Sequence, residues 1–226
     1  MKTVRCFLAL NLNVNVIREI TKTQKELIPQ TVDNKINWVP PQNIHVTIRF
    51  LGAITEPMIQ AIKDSLETLI RNTAPIPIQT KGLGLFKEKN DTAGILWAGV
   101  TPEKELDEFH SQVCKHLENT GFKEKVNQFI PHATIGRIKD LNTGDIDNII
   151  NKYKDIQFGG SVIKNLVCYQ STLSSKGADY KLLWRLSLSG QISTKTVNDN
   201  PANVKTAPPL QNSSTTEIHE NKGDQS

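Results

Sequence analysis

Along the chain, apolar positions alternate between a two-residue period and one near 3.6, the signatures of strand and amphipathic helix. Residues 4–12 predict a strand, and residues 16–28 a helix carrying Val16, Ile20 and Leu27. Residues 45–51 predict a second strand. Thr55, with Pro57 in the first turn, predicts the N-cap of a helix with Met58, Ile59, Ile62, Leu66, Leu69 and Ile70 on one face. Strands are expected at 76–83 and 94–100. Thr101-Pro102 then predicts an N-cap and first helical residue for a helix bearing Leu106, Phe109, Val113 and Leu117, its dipole complemented by Glu103 and Glu105. A strand at 132–138, a short helix at 146–153 and strands at 161–173 and 180–188 complete the pattern. The class is mixed α/β.

From residue 190 to the end the pattern stops. This segment has no aromatic residue and is rich in Asn, Thr, Ser, Lys and Pro, as in Asn198-Asp199-Asn200-Pro201. It cannot bury enough apolar area to offset its ordering entropy, which predicts a disordered polar tail (190–226) after one folded domain (1–189). The 226 residues carry a formal net charge of +4. Residues 1–189 hold 24 basic and 19 acidic groups, a net +5. That excess suits occasional contact with an anion and excludes a protein that coats nucleic acid.

The clean apolar runs, 6–10 and 95–100, are far shorter than the roughly 18 residues of a membrane span. Lys2 and Arg5 precede the first run, but Asn11 and Asn13 end it before the about 7–15 apolar residues of a signal peptide. A buried first strand is expected there. Cys6, Cys114 and Cys168 are odd in number and widely spaced, with no Cys-x-x-Cys pair. This argues against zinc or a disulfide framework and for a reducing cytoplasm.

Two strands share a pattern that carries chemistry. Ile44-His45-Val46-Thr47-Ile48-Arg49-Phe50 and Pro131-His132-Ala133-Thr134-Ile135-Gly136-Arg137 both read His-x-Thr-Ile. Strict alternation puts His45, Thr47 and Arg49 on one face, with Val46, Ile48 and Phe50 in the core. It puts His132 and Thr134 on one face too, and turns Arg137 away. His110 and His116 fall in a predicted helix and His219 in the tail, where ordinary structural roles are expected. Imidazole titrates near neutrality, so one ring can act as base and another as acid. Two hydroxyls and an arginine can hold a phosphoryl group. That equipment suits metal-free hydrolysis of a phosphodiester. Neither segment contains Asp or Glu, and no His-Glu-x-x-His or glycine-rich phosphate loop occurs.

At these residues the chain resembles the two-histidine phosphoesterases, most closely the RNA 2',3'-cyclic phosphodiesterases, also called 2'-5' RNA ligases. The first signature is Trp38-Val39-Pro40-Pro41-Gln42-Asn43-Ile44-His45-Val46-Thr47-Ile48-Arg49-Phe50-Leu51-Gly52, and the second Pro131-His132-Ala133-Thr134-Ile135-Gly136-Arg137. The opening Val4-Arg5-Cys6-Phe7-Leu8-Ala9-Leu10, a Gly82-Leu83-Gly84-Leu85-Phe86 turn, Leu96-Trp97-Ala98-Gly99-Val100, Tyr169-Gln170-Ser171 and Tyr180 follow the family as well. The resemblance implies two pseudo-symmetric lobes, each a mostly antiparallel sheet with outer helices, around a central cleft. It further implies a monomer without cofactor or metal, acting on RNA or oligonucleotide ends with a 2',3'-cyclic phosphate. By the same resemblance His45 is the proton donor, His132 the base that activates water, and Thr47 and Thr134 the phosphate-holding hydroxyls, with Arg137 at a usually basic position.

Further candidates carry ordinary alternatives. Phe86 and Tyr169 can meet a nucleoside or close small apolar clusters, and Arg49 can meet phosphate or stand solvated at a strand edge. Lys87, Lys89, Lys123 and Lys125 are expected to be exposed and at most to steer RNA. Two other functions remain open at this level: a phosphodiesterase for another substrate, such as 2'-5' oligoadenylate or a small cyclic nucleotide, and a module that binds RNA ends without turnover.

Overall fold

The computed structural model describes residues 2–88, 92–122, 128–141, 143–174 and 177–190. The expected tail lies outside them apart from Gly190, as do Lys89, Lys123 and Lys125. The order is β1 (Thr3–Leu10), α1 (Val14–Leu27), β2 (Ile36–Trp38), β3 (Val46–Thr55), α2 (Glu56–Asn72), β4 (Ile76–Lys87), β5 (Gly94–Thr101), α3 (Glu103–Glu118), β6 (His132–Ile138), α4 (Thr143–Tyr153), β7 (Gln157–Ile163), β8 (Asn165–Ser174) and β9 (Gly177–Ser187).

These strands make one antiparallel sheet in the order β7-β4-β5-β6-β3-β1-β8-β9, with β2 added to β6. The order is symmetric about the β6–β3 junction: β5 answers to β1, β4 to β8 and β7 to β9. At the junction the two halves meet through one register pair, Val46 with Ala133. Each half is a lobe, and the two strands at the seam carry the His-x-Thr patterns. Only Lys164 separates β7 at one end of the order from β8 near the other. The sheet is therefore curled, not flat.

Burial explains why these segments became strands. Leu8, Ala9 and Leu10 of β1 are wholly buried. Leu8 and Leu10 join the main core with α1 and α2, while Ala9 joins Phe7 and Val167 in a small cluster on the opposite face. Burying a leucine side chain contributes about 1.5–3 kcal/mol, so a central strand with both faces covered fixes the sheet firmly. The helices are shared between lobes: α1 follows β1 yet packs on β7, and α3 follows β5 yet reaches β3. No helix of the described residues is long and apolar enough to cross a membrane.

Several boundaries depart from the sequence pattern. The strand expected over 161–173 is two strands, because Ile163 pairs with Ile76 in one lobe and Asn165 with Ser187 in the other. β2 was not anticipated; three residues give too short a period to read. Thr101 ends β5, and Pro102, after a cis peptide bond, is itself the extended N-cap of α3. Thr55 is the N-cap of α2 as expected, but its side chain makes no capping hydrogen bond. Helix α1 begins at Val14, where the Asn13 side chain accepts from the Val16 N–H at 2.9 Å.

The glycine-rich segment from Gly82 to Phe86 is no turn. It lies within β4, and the register against β5 shifts across Gly82, whose φ is +68°. A Cβ there would stand 2.5 Å from the Lys154 carbonyl oxygen, in a backbone conformation that side chains rarely adopt. Gly82→Ala is expected to cost about 1–3 kcal/mol, lowering Tm by roughly 2–4 °C for each kcal/mol. Thermal unfolding by circular dichroism measures it; an unchanged Tm would show that the β4 bulge tolerates a side chain.

Candidate active site

Each histidine is held from behind by a carbonyl two residues earlier in the chain. His45 Nδ1–H donates to the Asn43 carbonyl at 2.7 Å, and His132 Nδ1–H donates to the Ile130 carbonyl at 2.7 Å. A carbonyl oxygen only accepts, so the proton sits on Nδ1 and Nε2 of each neutral ring keeps its lone pair. The Thr47 hydroxyl donates to His45 Nε2 at 3.0 Å. The Asn43 carbonyl is presented by a 3-10 turn, Pro41–Asn43, which the Asn43 side chain ties to β9 by donating to the Ala178 carbonyl at 2.7 Å.

A β-bulge follows each threonine. Against β1, Thr47 lies opposite Ala9 and Arg49 opposite Leu8, leaving Ile48 as an extra residue. Against β5, Thr134 lies opposite Trp97 and Gly136 opposite Leu96, leaving Ile135 extra. An added residue reverses the alternation that follows it. The residue three beyond each threonine therefore returns to the histidine face: Phe50 opposite Phe7 in one lobe, Arg137 opposite Ile95 in the other.

Three expectations change accordingly. Arg49 does not share the face of His45; its guanidinium lies 5.8 Å from the Phe122 ring centroid and acts electrostatically on His110 and Cys114 of α3. Phe50 leaves the core and is 63 % exposed. Arg137, which strict alternation turned away, lies among His45, His132 and Tyr180, acting on all three.

Aromatic rings wall the site unequally. The Phe7 ring stacks on His45 with centroids 4.9 Å apart, and Tyr180 meets the same imidazole edge-on at 5.5 Å. Tyr169 lies 5.6 Å from Phe7, its hydroxyl in hydrogen-bond contact with the Asn11 side chain at 3.1 Å. On the other side Phe86 meets His132 edge-on at 5.0 Å, and Trp97 lies 5.1 Å from Phe86. Tyr169 and Phe86 thus stand beside the two histidines. Phe7, Phe50, Trp97 and Tyr180 also belong to the walls, though periodicity alone did not select them. The opening motif and the tyrosine near the end of the resemblance were the available signals for Phe7 and Tyr180. Of the surface lysines, Lys87 is engaged with Asp147 at 3.3 Å.

Burial pushes His45 down to about 4; the Asn43 carbonyl opposes this, and repulsion from Arg137 and His132 adds to it. His132 is also lowered, by burial and then by Arg137, against the Ile130 carbonyl. At neutral pH both rings are therefore uncharged, the His45 Nε2 lone pair accepting from the Thr47 hydroxyl, with one guanidinium beside them. An anion entering between them meets the Arg137 charge and the threonine hydroxyls, and its own charge favours an added proton on either ring. Such a site can bind a phosphoryl group and exchange protons on two sides of it. Among the described residues no group of three His, Cys, Asp or Glu side chains could hold a metal ion. The three cysteines are buried and free.

Comparison with known proteins places this geometry. The family described as the AKAP7 2'5' RNA ligase-like domain matches residues 6–188. The chain is 33 % identical over 181 residues to a Methanocaldococcus jannaschii protein named RNA 2',3'-cyclic phosphodiesterase, covering 80 % of this chain and 98 % of that one. It is 31 % identical over 194 residues to the Aquifex aeolicus protein of the same name, covering 84 % of this chain and 100 % of the other. In fold it is similar to a Thermus thermophilus crystal structure, with a TM-score of 0.68 at 22 % identity over 83 % of this chain and 100 % of that one. It is also similar to Escherichia coli LigT complexed with 3'-AMP, with a TM-score of 0.67 at 16 % identity over 83 % and 99 % of the two chains. The two lobes, the paired histidines and the match across nearly all described residues agree: the chain belongs to the AKAP7 2'5' RNA ligase-like family of the two-histidine phosphoesterases.

Proposed function

We propose that the protein is an RNA 2',3'-cyclic phosphodiesterase that opens the cyclic phosphate at an RNA or oligonucleotide end to a 2'-phosphomonoester. The observation that carries this reading is the pair of symmetry-related histidines, each with Nδ1 committed to a carbonyl so that Nε2 is the nitrogen that exchanges a proton, with Nε2 of His45 beside the Thr47 hydroxyl. In-line displacement at phosphorus puts the attacking water and the leaving 3'-oxygen on opposite sides, and the two lobes supply one imidazole to each. His132 takes a proton from water as its oxygen bonds to phosphorus. The bond from phosphorus to the 3'-oxygen breaks, and that oxygen receives the proton from His45. Thr47, Thr134 and Arg137 hold the phosphoryl oxygens as charge builds on them.

The unequal walls support this assignment of roles. The leaving oxygen belongs to the nucleoside, and the denser aromatic wall of Phe7, Phe50, Tyr169 and Tyr180 stands beside His45. Stacking a base there brings its ribose to the donor. Phe86 and Trp97 line the side from which water comes. With a 5'-hydroxyl in place of that water, the same displacement of the 3'-oxygen gives a 2'-5' linkage. The reading requires neither a metal nor a second subunit.

The test is hydrolysis of an oligonucleotide ending in a 2',3'-cyclic phosphate, with EDTA present. The expected product is the 2'-phosphate. His45→Ala and His132→Ala are each expected to lower kcat/KM by at least about 10²-fold, the scale of losing a general acid or base. Loss of activity in EDTA would refute the metal-free route, and near-normal turnover in either variant would refute that histidine's role. Binding without turnover would favour an RNA-end binding module, and turnover confined to 2'-5' oligoadenylate or a small cyclic nucleotide a different substrate.

Because both rings are held below the ordinary imidazole value of 6.5, the optimum of kcat/KM is expected on the acid side of that value. The sign follows from the pair: one ring must be charged and one neutral, so the maximum lies between their two values, whichever ring has which role. A pH–rate profile measures it; an optimum above neutrality would contradict the paired-imidazole mechanism.

A further inference from the structure

The bulge that brings Arg137 to the site is held from outside its own lobe. Ile135 is the extra residue, and no β5 residue stands opposite it. Its carbonyl accepts instead from the Val39 N–H at 3.0 Å and from Gln24 Nε2 at 2.8 Å. The same Gln24 amide donates its other hydrogen to the Val39 carbonyl at 2.9 Å. Gln24 is a polar side chain only 5 % exposed, on a helix face otherwise buried through Val16, Ile20 and Leu27. One amide thus joins α1, the segment after β2 and the β6 bulge.

The matching bulge in β3 is arranged differently. There the second bulge residue is Arg49, whose own side chain reaches over Phe122. In β6 that residue is Gly136, which has no side chain to contribute; an added Cβ would stand 2.9 Å from Ile36 Cγ2. The packing of β2 keeps the position small, and the anchor comes from α1. Asn13, the N-cap of this helix, is fastened to β7 in the same lobe, its backbone N–H donating to the Ser161 hydroxyl oxygen at 3.0 Å. Helix α1 is therefore fixed to the second lobe at its start and again near its end.

We infer that Gln24 is a positioning residue for Arg137: by holding the Ile135 carbonyl it maintains the bulge that turns Arg137 toward the phosphoryl group. This rests on the reading of Arg137 as a phosphate contact. Gln24 itself lies on the helix side of β6 and acts through the backbone. With the anchor removed, the bulge can relax toward regular alternation, which carries Arg137 off the histidine face.

The experiment separates positioning from mere stability by reading the histidines directly. Proton–nitrogen NMR titrations of His45 and His132 in the unliganded protein are compared for wild type, Arg137→Met, Gln24→Met and Ile62→Val, together with kcat and KM on the cyclic-phosphate oligonucleotide. Ile62 is a fully buried residue of α2 and serves as a control for lost packing. Arg137 lowers both histidines, so Arg137→Met raises both midpoints. Gln24→Met is expected to raise them in the same direction and to raise KM roughly 10-fold, within the range that misplacement of a binding group costs. Ile62→Val is expected to move neither. Should Gln24→Met fold poorly, Gln24→Asn, which keeps the amide but shortens its reach, provides the same reading.

Unchanged midpoints in a folded Gln24 variant would overturn the inference, as would equal shifts in Ile62→Val. If Arg137→Met moves the midpoints but leaves KM unaltered, the phosphate contact fails while the positioning of Arg137 by Gln24 is still decided by the midpoints.

Discussion

A β-bulge adds one residue to a strand and so reverses the face taken by every side chain beyond it until the next irregularity. In this protein that constraint acts immediately after both His-x-Thr segments, at Ile48 and at Ile135. The bulges send Ile48, Arg49, Ile135 and Gly136 toward the helices and return Phe50 and Arg137 to the open face. Without them strict alternation would put Arg49 on the histidine face in place of Arg137 and turn Phe50 into the core. The chemistry of the site therefore depends on a backbone irregularity as much as on the motif residues.

The symmetry of the sheet makes this economical and also sets its limits. Strands in the order β7-β4-β5-β6 and β3-β1-β8-β9 give each lobe the same local construction: a carbonyl fixing Nδ1, an imidazole, a threonine, a bulge. Equivalent construction would give equivalent histidines. They differ because equivalent positions carry different side chains. Phe50 answers to Arg137, and the aromatic row of Phe7 and Tyr169 answers to Ile95 and Phe86. One side of the cleft carries the guanidinium and the other the denser aromatic wall, an asymmetry on which the proposed orientation of a nucleoside phosphate rests.

Helix placement supports the seam. The two lobes share one register pair at β3 and β6, so backbone pairing there contributes little rigidity. Helices crossing from one lobe to the other make up for it, with α1 behind β6 and β7, and α3 behind β3. The buried amide of Gln24 shows why a polar group is tolerated in that interface: both of its hydrogens meet carbonyl oxygens, which would otherwise be short of partners in an apolar setting.

By itself the sequence determined the alternation of strands and helices, the end of the folded region near residue 190 as an expectation, and the shared strand faces of His45 with Thr47 and of His132 with Thr134. Those four were legible because a period of two places i and i+2 on one face whatever the tertiary setting. The sequence misplaced Arg49, Phe50 and Arg137 for the same reason: period arithmetic assumes an unbroken strand, and a bulge is set by pairing with a neighbour distant in the chain. It joined β7 to β8 because apolar content alone does not show that Ile163 and Asn165 pair in different lobes. Only the tertiary structure decided which cation enters the cleft, which rings wall it, and that an amide on the first helix secures the strand of the second histidine. These are long-range pairings, and local periodicity carries no information about them.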